Sequence, residues 1–112
     1  GIPKKYEIQK GEFPFCIARR FNVDVGELLA LNGLSVNSVV PVGYMLQIPQ
    51  SGNTFNGQRA LIKHPTDYTV ASGDTIYTIG CKFGDVDPNA IIAVNGLKSP
   101  YTLKVGKSIY IP

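Results

Sequence analysis

The sequence predicts an α+β protein of two βααβ units, each with a two-stranded antiparallel sheet and two helices on one face. The chain repeats itself: residues 6–49 and 68–112 match identically at fourteen positions when one extra residue is allowed near Asp85. Each copy also has the order strand, helix, helix, strand, with glycine or proline at the breaks. A repeat of this length makes the copy the structural unit. We therefore expect unit 1 at residues 5–49, a partly packed linker at 50–67, and unit 2 at 68–112.

The first strand and first helix of each unit follow from local pattern. Residues 6–9 and 68–71 alternate between apolar and polar side chains, which is typical of a strand. Residues 15–21 and 77–83 then suit a helix of about two turns, in which apolar residues four positions apart share the buried face. The sequence thus predicts a short strand followed by a short amphipathic helix in each copy.

The start of this first helix differs between the copies. In unit 2, Asp74 and Thr75 can accept hydrogen bonds from the free N–H groups of the first turn. In unit 1 the matching residues are Glu12 and Phe13, which are poorer caps, followed by Pro14, which a first turn tolerates. We expect the better-capped helix in unit 2.

The second helix has clearer punctuation. Asp24 and Glu27 fit a capping box in unit 1, and Asp87-Pro88 places an acceptor at the cap and proline at the first helical position in unit 2. An Asn-Gly pair ends the apolar run in both copies, the glycine taking the left-handed conformation after the last turn. Closing strands are expected at 46–48 and 109–111.

Composition narrows the function classes. With 44% hydrophobic and 17% charged residues the chain is globular rather than disordered. The net charge of +3 comes from basic residues spread along the chain, unlike the clustered basic face of a nucleic-acid binder, so no nucleic-acid partner is expected. No apolar run approaches the ~20 residues of a transmembrane helix. Because no His/Cys cluster or phosphate-binding glycine loop occurs, no metal or cofactor is expected.

The two cysteines leave two alternatives open. Cys16 and Cys81 lie in different units, so a disulfide within one unit is excluded. A bridge between the units would close a loop of roughly 65 residues and contribute on the order of 4 kcal/mol in an oxidising compartment. The other alternative is two free thiols buried as small apolar side chains in the first helices.

A set of motifs occurs in the same order and at matching spacing in both copies. Unit 2 has Ser-Gly-Asp-Thr at 72–75, Asn-Gly-Leu at 95–97 and a closing Gly…Ile-Pro over 106–112. Unit 1 has Asn-Gly-Leu at 32–34 and the same closing pattern over 43–49. With these motifs both copies resemble LysM (lysin motif) domains, and the resemblance covers about 90 residues.

The resemblance implies binding to N-acetylglucosamine polymers, either peptidoglycan or chitin-type chains. In the family, a shallow groove lies between the loop after the first strand and the loop after the second helix. The resemblance therefore implies that the glycan-binding residues are Gly11, Glu12, Phe13, Pro14, Phe15, Val36, Asn37, Ser38, Val39 and Val40 in unit 1, and Gly73, Asp74, Thr75, Ile76, Tyr77, Ser99, Pro100, Tyr101, Thr102 and Leu103 in unit 2. Unit 1 departs from the family pattern at residues 12–14, where Glu-Phe-Pro replaces the usual Asp-Thr-hydrophobic sequence.

Two other function classes are weighed against glycan binding. An enzyme is disfavoured because His64 is the only histidine, and neither Cys16 nor Cys81 has a nucleophile-like setting for a Cys–His pair. A structural or interaction module of an extracellular or cell-surface assembly, without glycan binding, is the alternative. Sugar binding predicts that Tyr77 and residues 99–103 face solvent, whereas the structural role predicts that protein covers them.

The resemblance also implies a cellular setting. An extracellular or cell-wall location is expected, and so is a catalytic or anchoring domain elsewhere in a longer parent chain, since such modules are often joined to cell-wall hydrolases.

Overall fold

Unit 1 is a βααβ unit. The structure is a computed structural model that describes residues 1–112. Its first four elements are strand β1 (Lys5–Glu7), helix α1 (Pro14–Phe21), helix α2 (Val25–Leu31) and strand β2 (Met45–Gln47). The strands pair antiparallel, with Tyr6 opposite Leu46.

Unit 2 repeats this architecture. It contains β3 (Thr66–Thr69), α3 (Ile76–Phe83), α4 (Pro88–Asn95) and β4 (Ser108–Ile111), and its strands also pair antiparallel. The predicted α+β fold of two βααβ units is confirmed. β3 begins earlier than the predicted strand because its ladder with β4 starts at the pair Thr66–Ile111.

Each unit has its own apolar core. The core of unit 1 joins strand and helix residues to Phe55 of the linker: Ile8, Ile17, Ala18, Val23, Leu28, Leu46, Ile48 and Phe55. The core of unit 2 consists of Ile76, Ile79, Phe83, Val86, Ile91 and Ile111. A hydrophobic core of this size gives a single unit little stability on its own. We therefore expect the contacts between the two units to contribute to the stability of both.

The helix starts differ as the sequence predicts, with one correction. α1 begins after Phe13 without a side-chain cap. In α3, Thr75 accepts from the Thr78 N–H and the Thr78 hydroxyl accepts from the Thr75 N–H, which forms a capping box. The prediction that Asp74 also caps this helix was wrong, because its carboxylate accepts from the Ala71 N–H of the preceding turn.

The Asn-Gly pairs do more than end a helix. Asn32 donates to the carbonyls of Leu28 and Gln47 and accepts from the Gln47 N–H, which ties α2 to β2. Asn95 makes the same three bonds to Ile91 and Tyr110. These bonds hold the second helix against the closing strand in both units.

The two units are joined covalently and by close packing of their first helices. Cys16 of α1 and Cys81 of α3 form a disulfide with a Cα–Cα distance of 5.5 Å, which is the inter-unit alternative of the two that the sequence leaves open. Gly11 has φ +87°, and a Cβ added there would lie only 2.5 Å from the Thr78 Cγ2 methyl. The loop before α1 therefore rests directly on α3.

The linker packs against both units. Phe55 is buried in unit 1, whereas Leu61 and Ile62 remain exposed. The Glu27 carboxylate of α2 does not complete the predicted capping box and instead accepts from Ser51 and Asn53 of the linker. The Leu61 N–H bonds the Phe83 carbonyl of unit 2. No helix of the chain has the length and apolarity to cross a membrane.

Candidate functional site

Unit 1 carries an open groove, called groove 1. Its volume is about 250 Å³. One wall is formed by Phe13, Pro14 and Phe15 before and at the start of α1, the other by residues 35–39 after α2, and α2 itself contributes Val25 and Leu29. The lining contains no ionisable side chain, so this groove is apolar with an amide and hydroxyl rim.

Local bonds explain why the second wall of groove 1 projects into solvent. The Ser35 N–H donates to the Ser38 hydroxyl, and the Ser38 N–H donates to the Ser35 carbonyl. This tight turn turns Val36 and Val39 outward, with exposed fractions of 82% and 94%. Two aliphatic side chains this exposed at one loop form an apolar surface available to a ligand.

The opposite wall of groove 1 is braced by the linker. The ring of Phe15 meets the ring of Phe55 edge to face, with centroids 5.5 Å apart. The guanidinium of Arg19 lies 5.1 Å from both ring centroids. Phe15 therefore stands in a fixed orientation while part of its ring remains exposed.

Unit 2 carries the equivalent groove, called groove 2, with a volume of about 340 Å³. Its own walls are residues 74–77 before and at the start of α3 and residues 100–102 after α4. Unit 1 adds a further edge, consisting of Gln9, Lys10 and Val42. Groove 2 is thus a composite of both units, whereas groove 1 is built from unit 1 alone.

The charge of Asp74 in groove 2 is compensated within the protein. Its Oδ2 accepts from the Tyr68 hydroxyl at 2.7 Å and from the Ala71 N–H at 2.7 Å, and Lys82 Nζ lies 3.5 Å from Oδ1. Burial alone would raise the pKa of Asp74, but the Tyr68 and Ala71 hydrogen bonds and Lys82 lower it below its ordinary value. The pKa of Lys82 is raised in turn, chiefly by its bond to the Tyr68 hydroxyl.

The phenol of Tyr77 stays neutral in groove 2. Burial is the largest cause that raises its pKa, followed by the negative charge of Glu12 from unit 1 and by Tyr101. A neutral phenol both donates and accepts hydrogen bonds, and its ring offers an apolar face.

Most of the predicted residues line the grooves. Groove 1 brings together Phe13, Pro14, Phe15, Val36, Asn37, Ser38 and Val39, and groove 2 brings together Asp74, Thr75, Ile76, Tyr77, Pro100, Tyr101 and Thr102. Six predicted residues lie outside the linings: Gly11, Glu12, Val40, Gly73, Ser99 and Leu103. Gly11 faces α3 instead, and Val40 and Leu103 pack against the cores.

Glu12 is withdrawn from solvent by a buried network. Its carboxylate accepts from Arg20 Nη1 at 2.7 Å, from the Tyr6 hydroxyl and from the Gln9 N–H. Burial raises the pKa of the Tyr6 hydroxyl well above its ordinary value, so it remains a donor. Glu12, like Asp74, therefore holds together the turn that precedes its helix.

Sequence reasoning missed part of each lining. Val25, Leu29 and Ser35 line groove 1, and Gln9, Lys10 and Val42 line groove 2. Ser35 adjoins the predicted wall at residues 36–40, whereas Val25 and Leu29 lie in α2 and enter the lining through the packing of that helix. The last three depend on how unit 1 docks on unit 2, for which no pattern within one copy gives a signal.

The structure contains no free cysteine that could form a catalytic Cys–His pair with His64. Both cysteines are consumed by the disulfide. The His64 ring bonds Asp85 through Nε2 at 2.6 Å and the Pro112 carbonyl through Nδ1 at 2.7 Å. His64 thus fastens the linker to the end of unit 2.

The fold and the two grooves define a tandem array of small βααβ modules. The chain belongs to the LysM domain family, whose model matches residues 6–49 and 68–112. The predicted resemblance is confirmed. At the level of the family the chain is a glycan-binding module.

Known proteins share this pattern over part of their length. The chain is 32% identical over 94 residues to the N-acetylmuramoyl-L-alanine amidase sle1 of Staphylococcus saprophyticus, covering 84% of this chain and 28% of the amidase. It is 25% identical over 119 residues to the secreted LysM effector ECP6 of Passalora fulva, covering 96% of this chain and 52% of the effector. A crystal structure of the Bacillus megaterium spore cortex-lytic enzyme SleL matches with TM-score 0.39 and 28% identity, covering all of this chain and 23% of the enzyme. The chain therefore spans between about a quarter and a half of the length of these proteins.

Proposed function

We propose that the chain is a non-catalytic carbohydrate-binding module that recognises N-acetylglucosamine-containing glycans, of peptidoglycan or chitin type, at the cell wall. The observation that carries the proposal is the presence of two open grooves at equivalent places, each between the turn before the first helix and the loop after the second helix. Membership of the LysM family supports a glycan as the ligand.

The chemistry of groove 1 suits an acetylated sugar. A pyranose ring has an apolar C–H face and a polar rim of hydroxyl and N-acetyl groups. The half-exposed rings of Phe13 and Phe15 and the side chains of Val36 and Val39 supply apolar area for the first. Asn37 and the loop backbone supply donors and acceptors for the second without net charge.

Groove 2 offers the same division of roles. Tyr77 and Tyr101 form the apolar part, and Thr102 with the Tyr77 hydroxyl forms the polar part. Ile76 is only 1% exposed and belongs to the core of unit 2. Of the residues that sugar binding predicts to face solvent, Ser99, Pro100 and Thr102 are exposed, whereas Tyr77, Tyr101 and Leu103 are half-buried. The exposed part of this loop supports the proposal. Asp74 and Thr75 are already occupied by Tyr68, Lys82 and the helix cap, and we assign them to shaping the wall.

The duplication increases the affinity for a polymer in this proposal. One shallow groove buries little area against the cost of association, so its affinity is modest. Two grooves held at a fixed separation on one polymer raise the effective concentration of the second contact. The Cys16–Cys81 disulfide and the packed linker fix that separation.

The relatives support a cellular setting for this chain. One is named an N-acetylmuramoyl-L-alanine amidase and another a secreted LysM effector. We propose an extracellular or cell-wall location for this chain, and a catalytic or anchoring domain in a longer parent protein.

Retention on insoluble chitin and purified peptidoglycan, followed by calorimetry with soluble oligosaccharides, tests the proposal. Replacing Val36 and Val39 by serine removes apolar area from groove 1, and Tyr101→Ala does so in groove 2. Val105→Ser is the matched control, because Val105 is also highly exposed but lines neither groove.

The two groove variants are expected to lose affinity several-fold while the control retains it, since each removes buried apolar contact with the ligand. Circular dichroism checks that Tyr101→Ala remains folded. If wild-type protein shows no retention or heat at millimolar ligand, the proposal fails and the structural or interaction role takes its place.

A further inference from the structure

Groove 2 differs from groove 1 by a cation that comes from the other unit. Of the side chains lining the two grooves, only Asp74 and Lys10 carry charge, and both lie in groove 2. The basic groups in close contact with carboxylates are Arg20, Lys82 and the His64 ring, so Lys10 has no acidic partner. Because Asp74 is already paired with Lys82, groove 2 carries an uncompensated positive charge at its unit 1 edge.

The turn that bears Lys10 is held in place from three directions. The buried Glu12 carboxylate accepts from the Gln9 N–H at 2.8 Å, and the Glu12 N–H donates to the Gln9 carbonyl at 3.0 Å. The next residue, Gly11, rests against Thr78 of unit 2. The disulfide then pins the helix that follows the turn to α3. Lys10 is thus presented to groove 2 by an ordered turn.

The asymmetry between the copies is specific to this position. By the repeat alignment Gln9 and Lys10 correspond to Ala71 and Ser72, so the same turn in unit 2 carries no cation. Groove 1 is lined only by its own unit. The duplication has therefore produced one neutral groove and one groove with a basic edge.

Resting on the function proposed above, we infer that groove 2 is a composite site for a glycan that bears a carboxylate, with Lys10 contacting that carboxylate. Chitin-type chains consist of neutral N-acetylglucosamine. Muramyl chains carry carboxylates on the lactyl group or on the peptide attached to it. A cation at the groove edge favours the second class by charge complementarity, and the effect falls with added salt.

The test compares Lys10→Ser, which installs the residue of unit 2, with Lys63→Ser, which removes the same charge from a linker position outside both grooves. Three probes are titrated by calorimetry at low and high salt: an N-acetylglucosamine oligomer, a muramyl glycan stripped of peptides so that its lactyl carboxylates are free, and a peptide-bearing muramyl glycan. Amide resonances of residues 9–10 are followed by NMR in parallel.

Lys10→Ser is expected to weaken binding to a carboxylate-bearing probe about threefold to fivefold more than binding to the neutral oligomer, with a smaller salt dependence than wild type. Loss with the stripped glycan assigns the lactyl carboxylate, and loss only with the peptide-bearing glycan assigns the peptide. If Lys10→Ser and Lys63→Ser behave alike on both acidic probes, the inference is overturned while the proposed function stands. If wild type binds none of the three probes, the proposed function itself fails.

Discussion

Arg20 and Glu12 form a salt bridge of 2.7 Å in which the side chains are 1% and 0% exposed to solvent. The Nη2 atom of Arg20 lies 3.9 Å from the Cys16 sulfur and 3.8 Å from the Cys81 sulfur of the disulfide. The pair therefore sits where the turn before α1, helix α1 and the junction with unit 2 meet. Unit 2 has the equivalent set in Asp74, Lys82 and Tyr68, but at a more exposed place.

Breaking the buried pair should destabilise the protein strongly. Glu12→Gln removes the charge that balances Arg20, whose Nε is already buried without a partner, so we expect the free energy of unfolding to fall by about 3 kcal/mol. Guanidinium unfolding followed by circular dichroism measures this. Asp74→Asn is the matched control and should cost less than about 1 kcal/mol, because the Lys82 side chain is 41% exposed. Equal losses of unfolding free energy in the two variants would show that burial does not make the Glu12–Arg20 pair more important than the Asp74–Lys82 pair.

The decrease of the free energy of unfolding at acidic pH should depend on Asp74. Its folded pKa is lower than its ordinary value of 3.8, so between these two values the unfolded chain binds more protons than the folded chain. The stabilisation from Asp74 is then complete above the ordinary pKa and is lost as pH falls through the folded pKa. Unfolding free energies of wild type and Asp74→Asn, measured from pH 5 to pH 2, should converge as the pH falls. If the difference between the two unfolding free energies stays constant over this range, the charge of the Asp74 carboxylate does not stabilise the folded protein.

The contact between Gly11 and Thr78 should control how the units dock. Gly11→Ala places a methyl against the Thr78 methyl and also strains a positive φ, so we expect a loss of about 2 kcal/mol. Gly73→Ala is the control, since it has a similar φ of +84° but open space around it, and should lose about 1 kcal/mol.

Thr78→Ser removes only the obstructing methyl and keeps the hydroxyl that accepts from the Thr75 N–H in the capping box, so it should restore part of the stability of Gly11→Ala. Denaturant unfolding of the single and double variants measures the coupling. Strict additivity of Gly11→Ala and Thr78→Ser would mean that the two residues do not touch.

Reducing the disulfide should lower the free energy of unfolding, because the bond closes a long loop in the unfolded chain. The bond joins residues 65 positions apart, and closing such a loop in the unfolded chain is worth about 4 kcal/mol. The expected result is a matching fall in unfolding free energy on adding reductant, and the same fall in the double Cys→Ser variant. A change below about 1 kcal/mol would show that the packed linker alone holds the units together.

The fold was largely readable from the sequence because its signals are local and occur twice. Asp24, Asp87 and the Asn-Gly pairs mark helix ends by hydrogen-bonding chemistry that acts within a few residues. The walls of the grooves followed from where those elements end, once the family resemblance supplied their role.

The contacts that the sequence did not predict depend mostly on how the elements pack. Asp74 was predicted to cap α3, but its carboxylate accepts from the Ala71 N–H and the Tyr68 hydroxyl and pairs with Lys82 of α3. The basic edge of groove 2 was missed because Lys10 reaches it only through the docking of unit 1 on α3. Glu12 was predicted as a glycan-binding residue, but the fold buries its carboxylate against Arg20.

An NMR titration with an N-acetylglucosamine pentamer shows whether both grooves bind acetylated sugar. We expect saturable shifts of amide resonances along residues 35–39 in groove 1 and residues 100–102 in groove 2, together with the turns that face them. Shifts absent at millimolar pentamer, or confined to surfaces away from both grooves, would contradict this expectation.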